Sequence, residues 1–255
     1  VAADKLAPTT LALLENAPRG LFQLEAGLQS FNPKTLEAVA RHTDLDKLCE
    51  NVRRLLASGN AHIHVDLIAG LPYEGFDSFR DSFNKAYALH ADMLQLGFLK
   101  LLYGSALRAD ADEYAYVFDE NPPYEIRSTA WLSGKEMDVL HGVENACDRL
   151  HNAGRFRQTL AYVLQSTSLE PFDLFRAFGA KPTMPLDEYT ALAFEFFASL
   201  DGIDRAVLRD KLCRDRLMSN RSGKLPDCLK IKDTRLAAVT AAIGAMPLHA
   251  PKEHM

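Results

Sequence analysis

The sequence predicts an α/β fold in two parts: three parallel strands with their helices over residues 1–110, then a mostly α-helical domain over residues 111–255. Three observations predict it. His62-Ile63-His64-Val65-Asp66-Leu67 alternates polar and apolar side chains with the period of a β-strand. The small-residue turn Ile68-Ala69-Gly70-Leu71-Pro72 then passes the chain to Phe76, Phe79, Phe83 and Tyr87 at helical spacing, which makes a βα unit. Beyond Asn121-Pro122-Pro123-Tyr124 the apolar spacing is helical, and no convincing strand follows.

The elements follow in order. Leu6 to Leu14 reads as a helix stopped by Asn16-Ala17-Pro18-Arg19-Gly20. Leu21 to Ala26 is a short strand. Asn32 as N-cap and Pro33 at the first helical position open a helix containing Leu36, Val39 and Ala40. Thr43 caps another, in which Leu45, Leu48, Cys49, Val52, Leu55 and Leu56 keep helical spacing until Gly59. After the central strand and the Phe76 helix, Met93 to Leu99 is a third strand with Lys100 to Ser105 as its exit loop. Strand, helix, strand, helix, strand is two βαβ units, which pack as neighbouring parallel strands. Three parallel strands imply a larger whole, either a (β/α) barrel or a doubly wound sheet. In the second part, Ser133 and Glu136 form a capping box, and Met137, Leu140, Val143, Cys147 and Leu150 run along a helix to Gly154. Phe156 to Leu164, Pro171 to Phe178 and Pro185 to Leu200 read as further amphipathic helices.

Composition narrows the function classes. At 255 residues and 47% hydrophobic, the chain is ordinary globular material. Its net charge of -5 gives no global attraction to nucleic acid or to an anionic membrane. No apolar run approaches membrane-spanning length, and the first residues show no basic region followed by an apolar signal core. From Arg205 to Arg235 there are ten Lys/Arg against four Asp, but no aromatic residue to stack on a base. That speaks for a solvated helix face and against nucleic acid. Cys49, Cys147, Cys213 and Cys228 lie far apart with no C-x2-C or C-x3-C pair, as reduced thiols of a cytoplasmic protein would.

Two strand ends carry the candidate chemistry, since ligands of α/β folds bind at the carboxyl ends of the strands. His62, His64 and Asp66 share one face. An H-x-H strand can begin a metal-dependent hydrolase site. The neighbouring strand ends offer Glu25, Gln29 and Lys100 but no further His, so buried, hydrogen-bonded histidines are the preferred reading. At the preceding strand end, Glu25-x-Gly27-x-Gln29-Ser30 sets a carboxylate and an amide beside a glycine that lets a ligand approach the backbone. A non-enzyme alternative is a docking or scaffold module built from the C-terminal helices and the basic segment.

The segments Phe22 to Ser30, His62 to Glu74 and Leu94 to Leu102, with Arg41 between the first two, resemble the second half of a radical S-adenosylmethionine barrel, as in the oxygen-independent coproporphyrinogen oxidases. They resemble more closely the cobalamin-binding radical S-adenosylmethionine proteins, a group that includes methyltransferases and the anaerobic magnesium-protoporphyrin monomethyl ester cyclase. Pro122-Pro123-Tyr124-Glu125 and Asn152-Ala153-Gly154-Arg155-Phe156 resemble the C-terminal domain of those proteins. The resemblance runs from Leu6 to about Phe178.

It implies a (β/α) barrel of which these are the last three strands, and a full-length oxidoreductase that uses a [4Fe-4S] cluster, S-adenosylmethionine and cobalamin on a small-molecule substrate. A flavodoxin or ferredoxin would supply electrons. It also implies that Gln29, Arg41 and Asp66 contact S-adenosylmethionine, that Glu25 belongs to the ribose-binding strand end, that Ser30 is a further cofactor-binding residue, and that the backbone near Leu99 and Lys100 lies by the adenine. Ribose hydroxyls suit Glu and Gln, a carboxylate suits Arg41, and an ammonium suits Asp66. The cluster motif C-x3-C-x2-C of that family is missing here, as is its glycine-rich second strand. The expectation is therefore a fragment, inactive by itself.

Overall fold

The computed structural model describes residues 1–179, 181, 184–220 and 223–230. It is an α/β structure with three parallel strands followed by helices. The chain opens with α1 (Pro8–Glu15), β1 (Gln23–Gln29), α2 (Pro33–Ala38) and α3 (Leu45–Ser58). The central strand β2 (His62–Ala69) leads through α4 (Phe76–Tyr87) to β3 (Met93–Phe98). Then come α5 (Ala106–Ala109), a two-stranded antiparallel ribbon of β4 (Val117–Phe118) and β5 (Ile126–Ser128), and α6 (Gly134–Cys147). The last elements are α7 (Arg157–Ser166), α8 (Pro171–Gly179), α9 (Leu186–Ala198) and α10 (Arg205–Ser219).

The three strands form one sheet in the order β1-β2-β3, with both pairs parallel. The sheet's apolar side is the one the helices cover. Ile63, Val65, Leu67 and Ala69 of β2 are buried with Leu48, Val52 and Leu55 of α3 and Phe79 and Phe83 of α4. The local signals are those of the sequence. Asn32 caps α2 by accepting the Lys34 amide, and Gly59 ends α3 in the left-handed conformation at φ 65°. The Ser133–Glu136 capping box closes reciprocally: the Ser133 amide donates to Glu136 Oε2 at 2.8 Å, and the Glu136 amide donates to Ser133 Oγ at 3.3 Å.

Three expectations need correction. The first strand runs Gln23–Gln29 rather than Leu21 to Ala26, because the leading residues Leu21 and Phe22 are exposed and the strand continues past Gly27 to a bulge. Asp44, not Thr43, caps α3, its carboxylate accepting the Lys47 amide at 3.0 Å. A strand does follow Asn121: β5 pairs with β4, and Ile126 also donates to Leu99 O at 3.1 Å, tying the ribbon to the end of β3.

The chain divides into two compact units. One comprises residues 1–145 and 175–179, the other residues 146–174 and 180–255. In the first unit Phe175 packs edge-on against Phe83 at 5.7 Å between ring centroids, and both rings are fully buried. There too α6 and α8 touch at Gly142 and Gly179. A Cβ on Gly179 would meet the Gly142 carbonyl at 2.3 Å, so that position must lack a side chain, while one on Gly142 would make a tight 3.2 Å contact with the Gly179 carbonyl. The second unit is built around buried Phe172, Tyr189, Phe194, Phe197, Leu208 and Leu212. Its helix α10 carries much of the basic segment, where Arg205 pairs with Glu195 at 2.6 Å and Arg216 pairs with Asp187. Arg221 and residues 231–235 of that segment lie outside the described residues. Among the described residues no helix is long and apolar enough to cross a membrane.

Candidate functional site

The face of the sheet away from the helices is polar. Strand alternation sends Gln23, Glu25 and Gly27 of β1, His62, His64 and Asp66 of β2, and Met93 and Gln95 of β3 to this side. The register aligns Glu25, His64 and Met93 in one row and Gly27, Asp66 and Gln95 in the next. Glu25 and Gln95 are exposed, so the face is open to solvent on both flanks.

The second row is where the predicted residues gather. Gly27 pairs with Asp66, and its carbonyl accepts a hydrogen bond of 2.6 Å from Arg41 Nη2. A Cβ on Gly27 would lie 2.5 Å from Gln29 Nε2 and 3.1 Å from Arg41 Nη2. The missing side chain is thus the space that the amide and the guanidinium fill. Gln29 reaches this position through the β1 bulge, which shifts its pairing to Leu67 and holds it at φ 71°. Ala40 at φ 53° turns the chain so that the Arg41 amide closes on Leu36 O at 2.8 Å, aiming the side chain back at β1.

Four polar atoms here are buried without a partner: Gln29 Oε1, Arg41 Nε, His64 Nε2 and Asp66 Oδ1. Native proteins pair nearly all such atoms, so a cluster of exceptions on one face makes it the candidate for a polar ligand. Asp66 is electrostatically poised as well. Burial pushes its carboxyl above the usual carboxylate range and Glu25 adds to this, while His64 and Arg41 oppose it.

Ser30 and Lys100 are not part of this cluster. The bulge turns Ser30 inward, where its hydroxyl donates to Glu74 Oε1 at 2.6 Å. Lys100 is exposed, in a single antiparallel bridge with Glu125. Nor do His62, His64 and Asp66 make a metal centre: among the described residues no three His, Cys, Asp or Glu side chains converge to hold a metal ion. They stand along one strand, and the strands on either side contribute Gln23, Glu25, Gly27, Met93 and Gln95, so no ring of ligands closes around them. His62 instead lies 3.5 Å from Asp92 and edge-on to the His64 ring at 4.8 Å. Sequence reasoning passed over Glu74, which closes the His62 to Glu74 segment. Its wholly buried carboxyl gathers two serines, and only folding brings Ser30 and Ser82 to it.

Comparison with known proteins adds a family. A family model described as "Protein of unknown function (DUF4080)" matches residues 112–243, half of the chain. The chain belongs to the DUF4080 family. The stretch that defines membership begins after β3, and all six predicted ligand residues precede it. The DUF4080 chain is also 27% identical over 129 residues to the oxygen-independent coproporphyrinogen-III oxidase-like protein HemZ of Bacillus subtilis (strain 168). That alignment takes in 49% of this chain and 26% of HemZ, so the chain spans about a quarter of the length of this curated relative.

Proposed function

We propose that this chain carries the S-adenosylmethionine-binding half of a radical S-adenosylmethionine oxidoreductase. The observation that carries the reading is the gathering of Gln29, Arg41 and Asp66 around Gly27, each with a buried polar atom awaiting a partner. The similarity to a coproporphyrinogen oxidase-like protein supports it from a separate direction. In this reading residues 1–110 form the barrel half and residues 111–255 the helical domain.

The residues fit such a ligand by charge and by hydrogen bonding. Asp66 takes the ammonium, Arg41 offers its unpaired Nε edge to the carboxylate, and the Gln29 carbonyl and the exposed Glu25 accept from ribose hydroxyls. His64 adds a buried ring nitrogen to the same wall. Such a ligand would supply hydrogen-abstraction chemistry when reduced by a [4Fe-4S] cluster. The cysteines of this chain do not fit that cluster. Cys49, Cys147 and Cys213 are buried, and burial pushes the thiols of Cys49, Cys213 and Cys228 above the ordinary range, the opposite of what a thiolate ligand needs. We therefore assign the cluster, and the cobalamin, to a part of the polypeptide outside this chain. The finer reading is a cobalamin-dependent cytoplasmic oxidoreductase of the magnesium-protoporphyrin IX monomethyl ester cyclase type, reduced by a flavodoxin or ferredoxin. It rests on motif resemblance alone.

Calorimetric titration of the chain with S-adenosylmethionine tests the reading. The expected result is binding that weakens about tenfold or more in Arg41→Ala and in Asp66→Asn. In the acid range, affinity should rise with pH as Asp66 ionises to meet the ammonium. A chain that does not bind S-adenosylmethionine, or binds it equally well after both substitutions, would overturn the assignment.

A further inference from the structure

The turn that presents Gln29 is held from beneath. Ser30 is fully buried and donates to Glu74 Oε1 at 2.6 Å, while its hydroxyl accepts the Asn32 amide at 2.9 Å. Ser82 of α4 donates to the same Glu74 oxygen at 3.0 Å and accepts the Phe31 amide, also at 3.0 Å. Asn32 Nδ2 completes the seam with bonds of 3.1 Å to Tyr73 O and to Ser78 Oγ. These contacts tie the exit of β1 to the exit of β2 and to the helix that follows it. One carboxyl is their node.

Glu74 has no exposed surface, and its second oxygen is buried without a partner. A side chain this costly to bury, placed just behind the residue that enters the ligand face, calls for a reason. We propose that Glu74 is a positioning residue for the ligand site: through Ser30 and Ser82 it clamps the β1 exit turn and so holds the Gln29 amide beside Arg41 and Asp66. The inference rests on reading that face as the S-adenosylmethionine site.

The clamp has a chemical signature. The groups that meet the Glu74 carboxyl are Ser30 from the β1 exit and Ser82 from α4, neither of them charged. Burial pushes Glu74 up to about 7 against the two hydroxyls. Ionisation spreads a buried charge over a carboxylate whose second oxygen has no partner, and water reaches that oxygen only if the turn lifts from β2. The clamp therefore holds below neutrality and loosens above it.

Amide hydrogen exchange and S-adenosylmethionine titration on the full chain, from about pH 5.5 to about pH 8.5, test this with Glu74→Gln and Glu74→Ala. In the unsubstituted chain, protection of the Phe31 and Asn32 amides and ligand affinity should both fall about tenfold as pH rises. Glu74→Gln keeps the shape and the acceptor without the charge, so both quantities should stay level with pH. Glu74→Ala should lose protection and affinity together at every pH. The proposal is overturned if Glu74→Gln follows the same pH course as the parent, or if affinity survives in Glu74→Ala while protection collapses. If the parent fails to bind S-adenosylmethionine at any pH, the ligand assignment fails instead. Exchange then decides the clamp alone: a pH step abolished by Glu74→Gln upholds it, and a level profile in the parent overturns it.

Discussion

Gln29, one of the predicted ligand residues, sits on a strained backbone. A non-glycine residue at φ 71° costs about 1–3 kcal/mol, and here the β1 bulge and the Glu74 seam impose it. Gln29→Gly should therefore leave stability unchanged or raise it by up to about 1 kcal/mol while weakening S-adenosylmethionine binding. Urea unfolding beside ligand titration measures both, and a marked loss of stability would refute the strain account. At this scale the sequence was partly legible. Glycine at 27 with Gln29 and Asp66 at strand ends pointed to the candidate site, because residue type and strand position are local information. The inward turn of Ser30 was not legible, because adjacency in sequence says nothing of a bulge, which turns neighbouring side chains to opposite faces.

Among the elements, α7 depends on a distant cap. Phe156 at its N-cap offers no side-chain acceptor. Asp215 of α10 takes that role, accepting the amides of Gln158 at 3.0 Å and Thr159 at 2.8 Å and the Thr159 hydroxyl at 2.8 Å. Removing a buried acceptor with three donors leaves them all unsatisfied. Asp215→Ala should cost about 2–4 kcal/mol in chemical denaturation, and Asp215→Asn clearly less. An alanine variant as stable as the parent would mean that α7 finds its cap elsewhere. This bond joins residues more than fifty positions apart, and nothing local announces it. The Ser133–Glu136 box was readable because both partners sit within one turn. The β4–β5 ribbon escaped notice for a different reason: strands of two and three residues are too short to display alternation.

For the molecule as a whole, buried acids set the response to pH. Burial raises Glu74 to about 7, and it raises Asp66 and Asp215 above the usual carboxylate range. Each is protonated more readily when folded than when unfolded. Their contribution is therefore fully present below the unfolded carboxylate range and is lost as pH rises through the folded values, for Glu74 between about 4.5 and about 7. Glu74 alone accounts for a loss on the order of 3 kcal/mol across that window. Denaturant midpoints measured at intervals of pH should decline through it, and Glu74→Gln should flatten the decline. The α/β class and the three parallel strands were legible at this scale from periodicity and turn chemistry, whereas the way the chain returns to its first unit was not. That return has a consequence during synthesis. The first unit is finished by residues 175–179, after the chain has gone out through 146–174. Phe175 reaches Phe83 only after the chain between them is made, on the order of ten seconds at ribosomal rates. For that time the first unit lacks the aromatic face that Phe175 brings to it, a stretch of apolar surface a chaperone would shield.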